Sequence, residues 1–294
     1  AGSVLCWIAS SSDWRPPEAS EPVPASEGPG ITGLRITGPA RKLAQDRAID
    51  LASLPIGPLI TESFLRDRLG STEGLDREVP APITKKGDVI LYGGGGHAKA
   101  LIELIQSLEG YSVVGVIDDK LQTGASILDT KVLGPGDMLP DILKSGIGLA
   151  VNAVGGIGDV MSRVRVFRRL IEAGFDFPTL IHPTAFVERS ASLEAGVQVF
   201  PHAYVGSEAR VGFGAIVNTG AVVSHDCLLG RYVNVAPSAS LAGGVSLGKA
   251  VLVGMAVTIN LAVTVGDGAR IGNSAVVKAD VPAGKVVRAG AVWP

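Results

Sequence analysis

One stretch limits what this chain can fold into more than any other. From Leu180 to Val281 the sequence reads in sixes, seventeen phrases without an insertion, from LIHPTA and FVERSA through VVSHDC to VVKADV. The second place is aliphatic in every phrase, from Ile181, Val187 and Leu193 to Ile271 and Val277. The sixth is always Ala, Val or Cys, from Ala185 through Cys227 to Val281. A helix needs apolar residues three and four apart, and a strand needs them two apart, so a strict period of six over a hundred residues fits neither. It fits a solenoid, in which each phrase is too short to bury its own aliphatic side chain and stacking completes the core.

The 294 residues leave room for a second domain ahead of the repeat, and a net charge of −2 without basic or acidic blocks suggests neither nucleic acid nor a membrane surface as partner. Cys6 and Cys227 lie far apart, the second at a small core place, so no disulfide framework is expected. No run of eighteen apolar residues and no basic leader occurs, and the first residue is not Met. These features are read as a trimmed, cytoplasmic chain.

Residues 1–86 form an extension. Residues 1–30 and 70–86 read as linkers, rich in Ser, Pro, Glu and Ala in the first case and carrying Pro80 and Pro82 in the second. Residues 31–68 read either as a small folded piece, with a weak resemblance to the β-clip extension of sialic acid synthases, or as a poorly ordered tail or the remnant of a fused neighbour; the second reading is favoured.

Ordered α/β structure is expected over residues 87–178. Val89 to Tyr92 is a buried-type strand, Gly93-Gly94-Gly95-Gly96-His97 a glycine turn, and Ala98 to Leu108 a helix. Such a turn lets the backbone approach a diphosphate, whose charge the helix start favours. A second strand, Tyr111 to Ile117, ends in Asp118-Asp119, a place from which acids contact a nucleoside. Gly148 to Val154 reads as a further strand, followed by Gly155 and a helix from Val160 to Ala173 whose Arg163, Arg165, Arg168 and Arg169 are taken as its solvated face. Taken alone, the glycine turn and acidic pair are also compatible with a βα turn that binds nothing.

The six-residue phrase resembles the hexapeptide repeat of the left-handed parallel β-helix acyltransferases. Residues 88 to about 288 together resemble sugar acetyltransferases that include sialic acid O-acetyltransferases and the UDP-4-amino-sugar N-acetyltransferases of bacillosamine synthesis. The resemblance implies a small Rossmann-like parallel-sheet domain followed by a left-handed β-helix over residues 179–294, with three phrases to a coil. Handedness rests on the resemblance alone, since crossover rules would favour the other hand. It further implies a homotrimer, acetyl-CoA as co-substrate, and a nucleotide-linked sugar held by Gly95, Gly96, His97, Asp118, Asp119 and Gly155.

Within the repeat the resemblance makes His225 the general base and Asp226 its partner. Acetyl-CoA falls to Asn234, Gly243, Met255 and Gly272, with the Gly243 N–H at the acetyl carbonyl. A base is what acetyl transfer requires, and imidazole can accept a proton near neutral pH. Gly243 lies eighteen residues beyond His225, hence one coil along in the same place. Asn234 departs from the histidine of the bacillosamine branch. The closing residues 287–294 keep only the glycine of the family's usual ending, leaving Lys278, Lys285 and Arg288 as cations for a phosphate. Carbonic anhydrases of the same repeat hold zinc with three histidines, two of them five apart; no such pair occurs among the four histidines here, and no metal is expected. The favoured reading is N-acetylation of a nucleotide-linked amino sugar. O-acetylation of a sialic acid and a non-catalytic nucleotide-sugar sensor or scaffold stay open.

Overall fold

The computed structural model describes residues 33–46, 51, 54, 59–62, 64–65, 78–156 and 160–294. The linker expected over residues 1–30, and residues 70–77 of that expected over residues 70–86, lie outside them. Within residues 31–68, two short parallel strands, β1 (Arg35–Ile36) and β2 (Leu59–Ile60), join helix α1 (Gly38–Asp46). Ala40, Ala44, Leu54, Ile60 and Leu65 form a small buried cluster there, so this part contains folded structure of its own.

The α/β domain is built on β3 (Gly87–Tyr92), β4 (Tyr111–Ile117), β5 (Ser126–Ile127), β6 (Thr130–Gly134) and β7 (Leu149–Asn152), in the order β5-β6-β4-β3-β7. Only the β5–β6 pair is antiparallel. Apolar runs such as Val89-Ile90-Leu91 are buried on both faces, as covered parallel strands are. Helix α2 (Gly96–Gln106) covers one face with Leu101, Ile102 and Ile105; α4 (Val160–Ala173), after the short α3 (Leu139–Lys144), covers the other with Val164, Phe167 and Leu170.

From Leu180 the chain winds through two-residue parallel strands into three sheets, consistent with a left-handed β-helix. The first face has seven strands, from Leu180–Ile181 to Val286–Val287, the second seven, from Phe186–Val187 to Val292–Trp293, and the third five, from Ser192–Leu193 to Thr264–Val265. Partners stand one coil apart, as in Gln198↔Ile216 and Ile216↔Asn234, so second-place residues stack into one buried column. Corners are made at the fifth place. From Gly196 to Ser274 every fifth-place residue has a left-handed backbone, including His202, Asp226, Tyr232 and Ala250. Such a φ disfavours residues other than Gly, Asn and Asp, so stacking outweighs local preference here.

The end of the helix corrects the sequence reading. Ile271 pairs with Val287, and Val281 bridges Val265, both two residues short of the eighteen that separate other partners. Val281 therefore occupies an aliphatic second place instead of the small sixth. The phrase VVKADV hid this slip because both Val277 and Val281 are apolar. The coil then continues through Trp293, whose indole N–H donates to the Asp280 carbonyl.

A second correction concerns α4. Arg163 is fully buried, and Arg169 binds Tyr92 and the carboxylates of Asp119 and Asp137. The helix lies between the sheet and the corner joining the third and first faces, where Phe167 packs on Phe177 and Phe213, so Arg163 is enclosed while Arg165 stays exposed. No helix among the described residues is long and apolar enough to cross a membrane.

Position along the solenoid sets the cost of losing a core side chain. Leu241→Ala, in the middle and 1% exposed, should destabilise the protein by about 2–5 kcal/mol. Ile181→Ala, on the open first coil at 36% exposure, should cost clearly less. Urea unfolding midpoints of the two variants check this; equal losses would show that the first coil is closed.

Candidate functional site

The glycine turn is shaped from beneath. Gly93 has φ +110°, and a Cβ there would meet Ala153; one on Gly94 would strike Leu121 and Ile127. Gly95 and Gly96 are exposed with open space around them. Their amides open α2, whose N-cap Gly95 has no side-chain cap, leaving N–H groups suited to an anion.

The acidic pair is occupied by internal donors. Asp118 Oδ2 accepts from the Gly94 N–H at 2.7 Å, and its Oδ1 accepts from the amides of Lys120 and Leu121. Asp119 accepts from the Tyr92 hydroxyl at 2.7 Å, from the Gly136 N–H at 2.9 Å and from Arg169. Burial pushes the Asp119 carboxyl upward, but the Gly136 amide, Tyr92 and Arg169 outweigh it and hold the group below the usual carboxylate range. Burial, reinforced by Asp119, raises the Tyr92 phenol. In this arrangement the pair holds the turn and the adjoining strand ends in place.

Gly155 sits against His97, where a Cβ would stand 3.5 Å from the histidine Cβ. His97 Nε2 is 2.9 Å from Gln198 Oε1 on the first face, and Gln198 Nε2 donates to the Asn152 carbonyl. Burial, then the nearby Arg163 charge, lowers the His97 imidazole to about 4, against a smaller opposing effect of Gln198. Two coils below Gln198, Asn234 is closed over by Gly156, and its Oδ1 has no partner among the described residues.

His225 and Asp226 occupy the fourth and fifth places of a corner between the second and third faces. The left-handed backbone at Asp226 (φ +59°) sets the two side chains side by side, with Nδ1 2.7 Å from Oδ2. Both are more than 60% exposed. A carboxylate can only accept, so Nδ1 carries the hydrogen and Nε2 is left as an acceptor. One coil below, a Cβ on Gly243 would fall 2.5 Å from His225 Cε1; only glycine admits the ring here. No described residue accepts the Gly243 N–H. The Cys227 thiol is buried, and burial raises it further from the thiolate form.

These residues do not meet in one chain. The α/β domain sits on the first face and on the corner joining the third face to it, through contacts of Leu180, Phe200, Ile216, Phe213 and Tyr232. His225 and Gly243 project from the opposite corner. Asn234 and Gly272 belong to the first face, and Met255, 46% exposed, stands at the corner between first and second faces. Gly272 is held against the backbone of Ala289, as other third-place glycines are held against the next coil. Of the terminal cations, Lys285 lies over the Trp293 ring at 5.3 Å.

The sequence reading missed Gln198 and Arg163, polar residues whose burial depends on domain packing. A groove of about 450 Å³ along the third face was also missed, although the third-place ladder Gly212, Gly230, Gly248 and Gly266 signals it. Among the described residues no group of His, Cys, Asp and Glu is placed to hold a metal ion.

Residues 88–170 match the model of the PglD N-terminal domain. The chain is 30% identical over 118 residues to UDP-N-acetylbacillosamine N-acetyltransferase of Bacillus subtilis (strain 168); this match covers 38% of the chain and spans half of that enzyme. A solved structure of a histidine-to-asparagine variant of perosamine N-acetyltransferase from Caulobacter crescentus, in complex with CoA and GDP-perosamine, is 32% identical with a TM-score of 0.65, covering 71% of this chain and 96% of that one. The acetyltransferase domain of PglB from Neisseria gonorrhoeae FA1090, in complex with acetyl coenzyme A, is 31% identical with a TM-score of 0.65, covering 71% and 100%.

A lowered folded-state pKa means that the unfolded chain binds the His97 proton first. Stability from this residue should be complete above pH 6.5 and should fall as the pH drops toward about 4. Urea midpoints between these values should decline less steeply in His97→Gln than in the wild type; parallel curves would contradict the assignment.

Proposed function

As the chain belongs to the PglD-type family of hexapeptide-repeat sugar N-acetyltransferases, we propose that it moves the acetyl group of acetyl-CoA to the amine of a nucleotide-linked amino sugar. The observation that carries this reading is the His225–Asp226 pair, 2.7 Å apart and lying over Gly243. Asp226 holds the Nδ1 hydrogen, so Nε2 accepts the proton released as the amine attacks the thioester carbonyl. The Gly243 N–H is the donor to the developing oxyanion. The C–N bond forms, the C–S bond breaks, and CoA leaves as the thiol. Cys227 lies on the core side of the same corner and takes no part.

The diphosphate lies along the Gly95 and Gly96 amides beside His97 and Gly155, and Asp118 and Asp119 hold the turn that receives the nucleoside. Because this site and His225 are on opposite sides of the prism, the nucleotide held by one chain meets His225 of another. Acetyl-CoA then lies in the shared cleft, with Met255, Gly272 and Asn234 contributed from the nucleotide side and Gly243 from the histidine side. A homotrimer built around the second face satisfies this arrangement. Phe186 and Val292 on that face are 61% and 58% exposed, and Met255 and Leu261 stand exposed at its two corners on one coil. The relatives with GDP-perosamine and UDP-N-acetylbacillosamine make guanosine and uridine sugars the first candidates.

Thiol release from acetyl-CoA with UDP-, GDP- and CMP-linked sugars tests the reading. One amino-sugar nucleotide should support turnover, and His225→Ala should reduce it by about 10²–10⁴-fold. Gly243→Ala, which drives a methyl into the imidazole, should lower kcat at least tenfold, by the order of one lost transition-state contact, and leave Tm nearly unchanged. Activity confined to sialic acids would move the reaction to a hydroxyl acceptor. Nucleotide binding without turnover would make the protein a sensor.

A further inference from the structure

Among the described residues, Asn152, Arg163, Gln198 and Asn234 are buried polar side chains where the α/β domain meets the β-helix, and Arg163 is the charged one. It pairs with no carboxylate among the described residues. Nη1 donates to the Val154 carbonyl at 2.9 Å, while Nη2 and Nε donate to the Gly214 carbonyl at 2.7 and 3.3 Å. The guanidinium lies over the Phe167 ring at 5.2 Å, and the Arg163 carbonyl accepts from Asn152 Nδ2. At Gly214 the approach of the Phe167 ring leaves no room for a Cβ.

A buried cation with no counter-ion among the described residues is costly, and two carbonyls offset only part of the cost. Burial pulls the Arg163 guanidinium down to about 9, so it still carries its charge at neutral pH. Its field reaches His97, the residue that closes the glycine turn. Neutral residues of similar shape could pack the joint without this expense, so the charge itself needs an explanation. An anion at the turn supplies one, because charges interact over longer distances where water is excluded.

We propose that Arg163 is a positioning residue for the nucleotide-linked sugar: it fastens the Val154 carbonyl, just beyond β7, and with it the His97 side of the turn to the β-helix, and sets behind the diphosphate a positive charge that no described carboxylate pairs. The proposal rests on the reading that the glycine turn receives a diphosphate. Lysine keeps the charge but cannot span both carbonyls, and methionine keeps neither.

The test compares wild type, Arg163→Lys and Arg163→Met in steady-state kinetics, with imidazole ¹⁵N titration of His97. In Arg163→Met the KM for the nucleotide sugar should rise about tenfold or more, as for loss of one charge-assisted contribution, while kcat and the KM for acetyl-CoA stay within about twofold. His97 should titrate at higher pH than in the wild type, and Arg163→Lys should have an intermediate nucleotide-sugar KM. An unchanged nucleotide-sugar KM, or a rise in both KM values together with a fall in kcat, overturns the proposal and leaves the acetyltransferase reading intact. If Arg163→Met does not fold, a wild-type nucleotide-sugar KM in Arg163→Lys overturns it equally. Calorimetry showing that the wild type binds neither UDP nor GDP removes the underlying reading and the proposal with it.

Discussion

The eighteen-residue coil is the constraint on which the rest depends. Once like places stack, each residue acquires a fixed address: the first place outside a face, the second in the core, the fourth and fifth at a corner. His225 can therefore be followed by Asp226 at a left-handed corner and still stand directly over Gly243, residues that no local rule would bring together. The stacking also supports nine left-handed corners occupied by residues other than glycine, each of which would cost roughly 1–2 kcal/mol if it had to form alone.

The same addresses explain the junction with the α/β domain. On the first face the outward column runs Leu180, Gln198, Ile216, Asn234 and Leu252; the first three are covered by the domain and Asn234 is closed over by Gly156. Apolar members of this column join the core of the sheet domain, and Gln198 ties His97 to the Asn152 carbonyl. No linker separates the two parts, since Phe177 packs with Phe167 and Phe213 immediately before the first coil. Fixed in this way, the glycine turn of the chain faces away from its own His225.

Much of this was legible in the sequence, because a period of six over so many phrases leaves one architecture. The α/β elements were also readable, with α4 spanning the expected Val160 to Ala173. The slip near Lys278 was not, since VVKADV is apolar at both candidate places and only strand pairing distinguishes them. Nor could four arginines on one helix be sorted in advance: Arg163 and Arg169 face partners supplied by distant parts of the chain, Gly214 and Asp119. The contact of His225 with Gly243 was legible because stacking converts a spacing of eighteen into contact, while the burial of Gln198 and Arg163 depends on domain packing that has no period.

Complementation between inactive chains tests the central claim most directly, that His225 of one chain acts on a nucleotide held by another. His225→Ala removes the proposed base, and Gly96→Asp places a carboxylate at the proposed diphosphate position. Each homo-oligomer should be nearly inactive, and co-expression followed by isolation of mixed oligomers should restore a measurable share of wild-type thiol release. Mixed oligomers as inactive as their parents would contradict the account and would require the nucleotide and the base to meet within a single chain.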